Sequence, residues 1–170
     1  PSRLDFPLFP DSPVRRFERL VLRAGSDDAC VAPEKDWLRT MTQYLRDQFA
    51  RDTQRDMGSL APHGRFVHLY LDGLYWGLYN CVERPDARFL ASHLGGAAGD
   101  YDVIVTGAEV QDGDRSGWDE AQRLARGGLA GDAAYRAIGR LVEIDNLIDY
   151  CLLNFYLGNV DWPHNNWVAG

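Results

Sequence analysis

Residues 65–84 read RFVHLYLDGLYWGLYNCVER, and this stretch decides the fold. Two β-rich runs flank the Asp72-Gly73 pair. A two-residue Asp-Gly loop favours the type I′ turn, whose twist matches that of the strands it joins, so the segment is predicted to be a β-hairpin. Alternation places Phe66, His68 and Tyr70 on one face and Val67, Leu69 and Leu71 on the other. Gly77 interrupts the second strand, which marks a bulge or a close approach by a ligand or by backbone. Cys81, in the same run, reads as a small core hydrophobe.

Working outward toward the N-terminus, residues 1–13 contain four prolines and no helical period, and predict an extended or looped lead-in. The run FERLVLR (17–23) is compatible with a strand and stops at the turn-rich AGSDD (24–28). Asp36 then opens a predicted helix. Trp37, Met41, Tyr44, Leu45 and Phe49 fall at helical spacing and form an apolar stripe, while Arg39, Arg46 and Arg51 face elsewhere. Gly58 and Pro62 punctuate its exit.

Toward the C-terminus, a short helix is predicted over 86–93, followed by the break GGAAG (95–99). Tyr101 to Thr106 reads as a short strand, and 107–117 as polar and Gly-rich. Helical stretches are expected near 118–125 and 133–141. A stronger helix runs from about Ile144 to Leu157. Its Ile144, Leu147, Ile148, Cys151, Leu152 and Phe155 follow the 3.6-residue period, and Gly158 is a stop signal. The first half is thus strand, helix and hairpin, and the second half is mostly helical. The fold class is α+β, with two unlike parts joined near residues 83–86.

Composition narrows the function. Among the 170 residues, 25 are acidic and 18 are Lys or Arg, giving a net charge of −7. An acidic balance argues against a nucleic-acid polymer or an anionic membrane as partner, since either needs a basic face. No apolar run is long enough to span a membrane. Lys35 is the only lysine, so a phosphate contact from a long cation falls to arginine unless Lys35 makes it. Cys30, Cys81 and Cys151 have neither disulfide-framework nor zinc spacing. PSRLDFPLFP (1–10) lacks the pattern of a signal peptide. The chain opens on Pro1, as a piece of a longer polypeptide would. No GxSxG, GxGxxG or GxxxxGK[ST] pattern occurs.

The densest polar cluster follows the strongest helix: NVDWPHNNW (159–167). A carboxylate, an imidazole and several carboxamides share one short loop at the end of a rigid element, a common home for catalytic groups. Asp161 and Asn166 are separated by four residues. Protein kinases use the same spacing: the Asp accepts or orients the acceptor's hydroxyl proton, and the Asn holds a divalent cation beside the phosphates. The competing reading is a polar turn in which Asp161 and the asparagines cap backbone groups.

Taken together, several segments resemble the CotH kinase family, an atypical protein-kinase-like family named for a spore coat protein. They are FERLVLRAG (17–25), WLRTMTQYLRDQFARD (37–52), the hairpin through RFL (65–90) and DNLIDYCLLNFYLGNVDWPHNNW (145–167). The most specific features are G-x-Y-x-x-x-E-R in the hairpin and N-x-D-x4-N in the loop. The resemblance implies an N-terminal β-rich lobe over about 14–84 and the first helices of a helical C-terminal lobe over about 85–170. It implies ATP and Mg²⁺ or Mn²⁺ as cofactors, and a protein Ser or Thr hydroxyl as acceptor. Asp161 takes the catalytic role and Asn166 the metal-binding role. Glu83, with Arg84, lies at the hinge beside the adenine. Tyr75, Trp76 and Tyr79 offer aromatic faces to the base, or else are ordinary hairpin packing. Arg23 ends the strand where a kinase carries its phosphate-binding lysine, or is a surface cation. Arg46 and Asp47 lie on the helix C candidate, with their partners open.

No Gly-rich phosphate loop precedes Arg23. The family's second metal-binding carboxylate belongs to an Asp-rich motif after the Asn, and residues 167–170 contain none. The expectation is a partial domain with weak turnover alone. The alternative is a pseudokinase or structural module of a spore coat or envelope assembly. A third reading changes only the acceptor, to a small molecule or polysaccharide. The compartment stays open between spore coat, envelope and cytoplasm.

Overall fold

The computed structural model describes residues 3–25, 28 and 42–170. The hairpin is formed by β4 (Gly64–Leu71) and β5 (Leu74–Glu83), which pair antiparallel. Asp72 and Gly73 have φ of 50° and 81°, the two positive values that a type I′ turn requires. Leu69 lies opposite Gly77 and Tyr70 opposite Tyr75, so Trp76 is the extra residue of a bulge. Gly77 has φ 129°, a conformation that side chains disfavour, which accounts for glycine at this point.

A further strand, β3 (Leu20–Arg23), pairs with the other edge of β5, so the sheet order is β3-β5-β4. The expected strand 17–23 is broken at Glu18-Arg19. Its first part belongs instead to β2 (Arg16–Phe17), which pairs with β1 (Leu4–Asp5). The N-terminal lead-in also carries core. Phe9, Val14 and Phe17 are buried together, with Leu8 and Leu20 against them, and the rings of Phe9 and Phe17 meet edge to face at 5.4 Å.

Helix α1 spans Arg46–Asp56. The expected helix opened at Asp36; residues 36, 37 and 41 lie outside the described residues, and Tyr44 is not helical but has φ 62°. The apolar stripe also needs correction. Leu45 and Phe49 are exposed, and no residue of α1 is fully buried. Polar side chains, Gln48 and Arg51, make the contact with the sheet instead. Met57 and Gly58 end the helix, Gly58 with φ 89°.

The chain divides into two compact units, Pro1–Arg84 and Pro85–Gly170. In the second, α2 (Ala87–Leu94) is opened by the buried Asp86, whose carboxylate accepts from the backbone N–H groups of Arg88 and Phe89 at 3.0 Å each. Strands β6 (Val103–Val105) and β7 (Glu109–Asp112) follow, then α3 (Ser116–Arg126), α4 (Asp132–Ile138) and α5 (Ile144–Leu157). The last strand, β8 (Val168–Ala169), pairs with β6 and gives a second sheet of order β7-β6-β8. The stretch 107–117 therefore holds a strand, and this half is less purely helical than its sequence predicts.

Helix α5 has the expected bounds, and Gly158 caps it in the left-handed conformation: its N–H donates to the Phe155 carbonyl and the following Asn159 N–H to that of Asn154. The periodic apolar positions are not its most buried side: Leu147, Ile148, Leu152 and Phe155 are 46%, 49%, 55% and 70% exposed, whereas Leu153 and Asn154 are buried. The α+β class holds. Among the described residues, no helix is long and apolar enough to cross a membrane.

Candidate active-site loop and strand–helix ion pair

The polar loop is tied to α5 by carboxamides. Asn154 is buried and donates to the Tyr150 carbonyl at 2.9 Å. Its Oδ1 accepts from Asn159 Nδ2 at 2.8 Å, and Asn159 Oδ1 in turn accepts from the Asp161 backbone N–H at 3.2 Å. Each amide fills both its donor and its acceptor roles, so one chain of hydrogen bonds runs from the helix interior to Asp161. Trp162 adds an apolar hold, with its ring edge-on to Phe155 at 5.6 Å and to Tyr150 at 6.1 Å.

The far end of the loop is tied to the β6 sheet. The Trp167 indole stacks on Trp118 of α3, with centroids 5.2 Å apart and planes at 15°. Its backbone N–H donates to Thr106 Oγ1 at 3.4 Å, and Val168 and Ala169 pair with Val105 and Ile104. Held at both ends, the loop turns back on itself. Asn165 N donates to the Asp161 carbonyl at 2.9 Å, and Asn166 Nδ2 to Asp161 Oδ2 at 3.3 Å. Asn166 has φ 60°, a left-handed conformation that Asn tolerates better than most residues.

The structure thus brings Asp161 and Asn166 together on an exposed loop. The Asn166 amide is used as a donor toward Asp161, which keeps its carbonyl oxygen for other work. A carboxylate and a carboxamide oxygen are hard donors, the kind that Mg²⁺ and Mn²⁺ take, so the residues fit such a cation.

Arg23 lies in the other unit, at the end of β3. Its Nη2 is 2.6 Å from Asp47 Oδ2 in the first turn of α1. The pair sits in a groove lined also by Gly25, Phe66, Leu78 and Asn80. Arg23 is opposite Asn80 in register, and Asn80 is opposite Phe66, so all three share a sheet face. Asn80 is buried. Its Oδ1 accepts from Arg51 Nη2 at 2.5 Å, and its Nδ2 donates to Gln48 Oε1 at 2.9 Å. Desolvation holds the Arg51 guanidinium below its ordinary pKa, an effect that Asp47 opposes and Arg23 reinforces.

The other expected base-binding residues are placed differently. Tyr75 is exposed near the hairpin tip, its hydroxyl 3.0 Å from His68 Nδ1 and its ring 5.2 Å from that of Tyr70. Tyr79 is opposite Val67, so alternation puts it on the face away from Arg23 and Asn80. Glu83 is buried, with its carboxylate turned to His63: Oε2 is 2.8 Å from the His63 backbone N and 2.9 Å from Nδ1.

Sequence reasoning missed Asn80, Gln48, Asn154 and Trp118, whereas Asn159 opens the N-x-D-x4-N motif and caps the Asp161 backbone N–H. A lone carboxamide inside a β-rich run was the available signal for Asn80. Gln48 and Trp118 depend on contacts between elements, and Asn154 on bonds to Tyr150 and Asn159 that no periodic pattern marks.

A family model described as CotH kinase protein matches residues 35–169. No curated protein and no solved structure matches the chain.

Proposed function

The chain belongs to the CotH kinase family, and from that premise we propose that it serves transfer of the ATP γ-phosphoryl group, with Mg²⁺ or Mn²⁺, to a protein Ser or Thr hydroxyl. The observation that carries this reading is the Asp161–Asn166 pair on a loop fixed at both ends. In the proposed reaction the acceptor oxygen forms a bond to phosphorus, the bond to the ADP oxygen breaks, and the hydroxyl proton leaves toward Asp161. Asp161 orients that hydroxyl as a general base would. Asn166 would hold the cation through its amide oxygen. When bound, the cation supplies positive charge against the phosphate oxygens. Arg23 contributes a guanidinium for phosphate contact, and Asp47 fixes its direction. Tyr75, Tyr79 and Glu83 carry weaker support as base-binding groups, since Glu83 is engaged by His63 and Tyr79 faces away from Arg23.

Catalysis of this kind rests on positioning and charge neutralisation more than on covalent chemistry. The test is metal-dependent ATP turnover by the full-length protein, with mass spectrometry to locate the acceptor. Phosphate on Ser or Thr supports the proposal. A thermal shift with ATP and metal but no transfer would instead mark a nucleotide-binding module, because binding to the folded state alone raises stability.

A further inference from the structure

We propose that Asn80, through Gln48 and Arg51, is a positioning residue that sets the Arg23–Asp47 pair. The inference rests on the reading of Arg23 as a phosphate-binding group only for its functional consequence.

Three observations carry it. First, Asn80 is directly opposite Arg23 in the β3–β5 register, so one backbone pairing places both. Second, its carboxamide closes a small ring of hydrogen bonds onto α1. Arg51 Nη2 donates to Asn80 Oδ1 and, at 3.2 Å, to Gln48 Oε1, while Asn80 Nδ2 donates to the same Gln48 oxygen. Gln48 is the residue after Asp47, and Arg51 lies one helical turn beyond it. Fixing those two therefore fixes the height and rotation at which Asp47 meets Arg23. Third, Gly64, at the start of β4, keeps the space that the ring needs. A Cβ there would collide with Gln48 Oε1.

This docking is poorly explained as a stability device. Helix α1 has no fully buried apolar residue, and the Arg51 Nε is buried without a hydrogen-bond partner among the described residues. Desolvating a guanidinium is costly, and an apolar contact of similar volume would hold a helix to a sheet at least as well. What the polar ring adds is direction. It also puts a second cation behind Asp47. That carboxylate then interacts with two arginines, Arg23 in contact and Arg51 at longer range.

The experiment compares wild type with Asn80→Ala, Asn80→Asp and Gln48→Ala. Two readouts are used: arginine side-chain ¹⁵N–¹H spectra and titration with ATP·Mg²⁺. Asn80→Asp keeps the acceptor for Arg51 but loses the donor to Gln48 and adds a negative charge beside Asp47. The expected result is that Asn80→Ala and Gln48→Ala shift the Arg23 and Arg51 resonances and weaken ATP affinity about fivefold. Asn80→Asp should hold the Arg51 resonance nearer its wild-type position than Asn80→Ala does, while its charge lowers ATP affinity further. A purely structural role would lower the unfolding temperature and leave the Arg23 resonance and ATP affinity of the folded protein unchanged; that result overturns the proposal. Should Asn80→Ala fail to fold, Gln48→Ala decides by the same criteria. If the Arg23 resonance moves but wild type binds no ATP·Mg²⁺, the positioning role stands and the kinase reading falls.

Discussion

Arg23 Nη2 and Asp47 Oδ2 lie 2.6 Å apart and join the end of the third strand to the first turn of α1. Each side chain is about half exposed, so the pair contributes little to stability, roughly 0–1 kcal/mol. Its value lies in aiming a guanidinium. Asp47→Asn should therefore raise the KM for ATP about tenfold, the equivalent of about 1.4 kcal/mol, with an unfolding temperature close to wild type. Steady-state kinetics and a thermal melt on the same sample check both halves. An unchanged KM would separate the pair from nucleotide binding.

Asn166 combines two demands, an oxygen donor and a left-handed backbone. Asn166→Ala loses both, since alanine has no oxygen donor and lacks the short polar side chain that lets asparagine adopt the left-handed conformation. Asn166→Asp keeps an oxygen and tolerates the conformation. The metal concentration for half-maximal activity should rise at least about tenfold in Asn166→Ala and return most of the way in Asn166→Asp. Identical metal titrations for all three proteins would remove Asn166 from the metal site.

The Trp118–Trp167 stack holds the end of the loop that carries Asn166. Such a ring pair contributes about 0.5–1.5 kcal/mol beyond its buried area. Trp118→Ala should lower amide protection across residues 161–167 about tenfold and reduce kcat, while the KM for ATP stays near wild type. Trp118→Phe should restore part of the loss. Hydrogen exchange with unchanged protection in the loop would show that the strand pairing alone fixes it.

Helix α3 makes a pH prediction. Asp119 is held below its ordinary pKa by hydrogen bonds from Arg115, Glu120 by those from Arg123, and Asp114 by Ser116. A carboxylate with a depressed folded-state pKa contributes stability that is present above its unfolded value and lost as pH falls through the folded one. Amide protection factors over residues 116–126 should be level above the ordinary carboxylate range, about pH 4, and decline below it. Asp119→Asn should flatten part of that decline. These groups lie at the surface, so the effect is local and should weaken in high salt.

The legible parts of the sequence were those governed by local rules. Asp72-Gly73 dictates the hairpin, Gly77 marks its bulge, and Gly158 closes α5, each through φ values that neighbouring residues need not supply. The Asp161–Asn166 spacing likewise brought two side chains into contact on a short turn. Contacts between elements were hidden. The stripe expected on α1 assumed apolar docking, whereas Asn80 binds Gln48 and Arg51 across 32 and 29 residues. β7 and β8 are short, and neither strand is recognisable without its partner β6. Phe9 sits among prolines with no period to mark it, yet it is among the most buried side chains described.

The central claim is that Asp161 orients the acceptor hydroxyl in phosphoryl transfer. The most direct test follows ³²P from γ-labelled ATP in the full-length protein with Mg²⁺ or Mn²⁺, comparing wild type with Asp161→Ala. The account predicts metal-dependent labelling by wild type and a loss of at least about 100-fold in the variant, as for removal of a general base, with the fold retained. Equal labelling by the two proteins would contradict it.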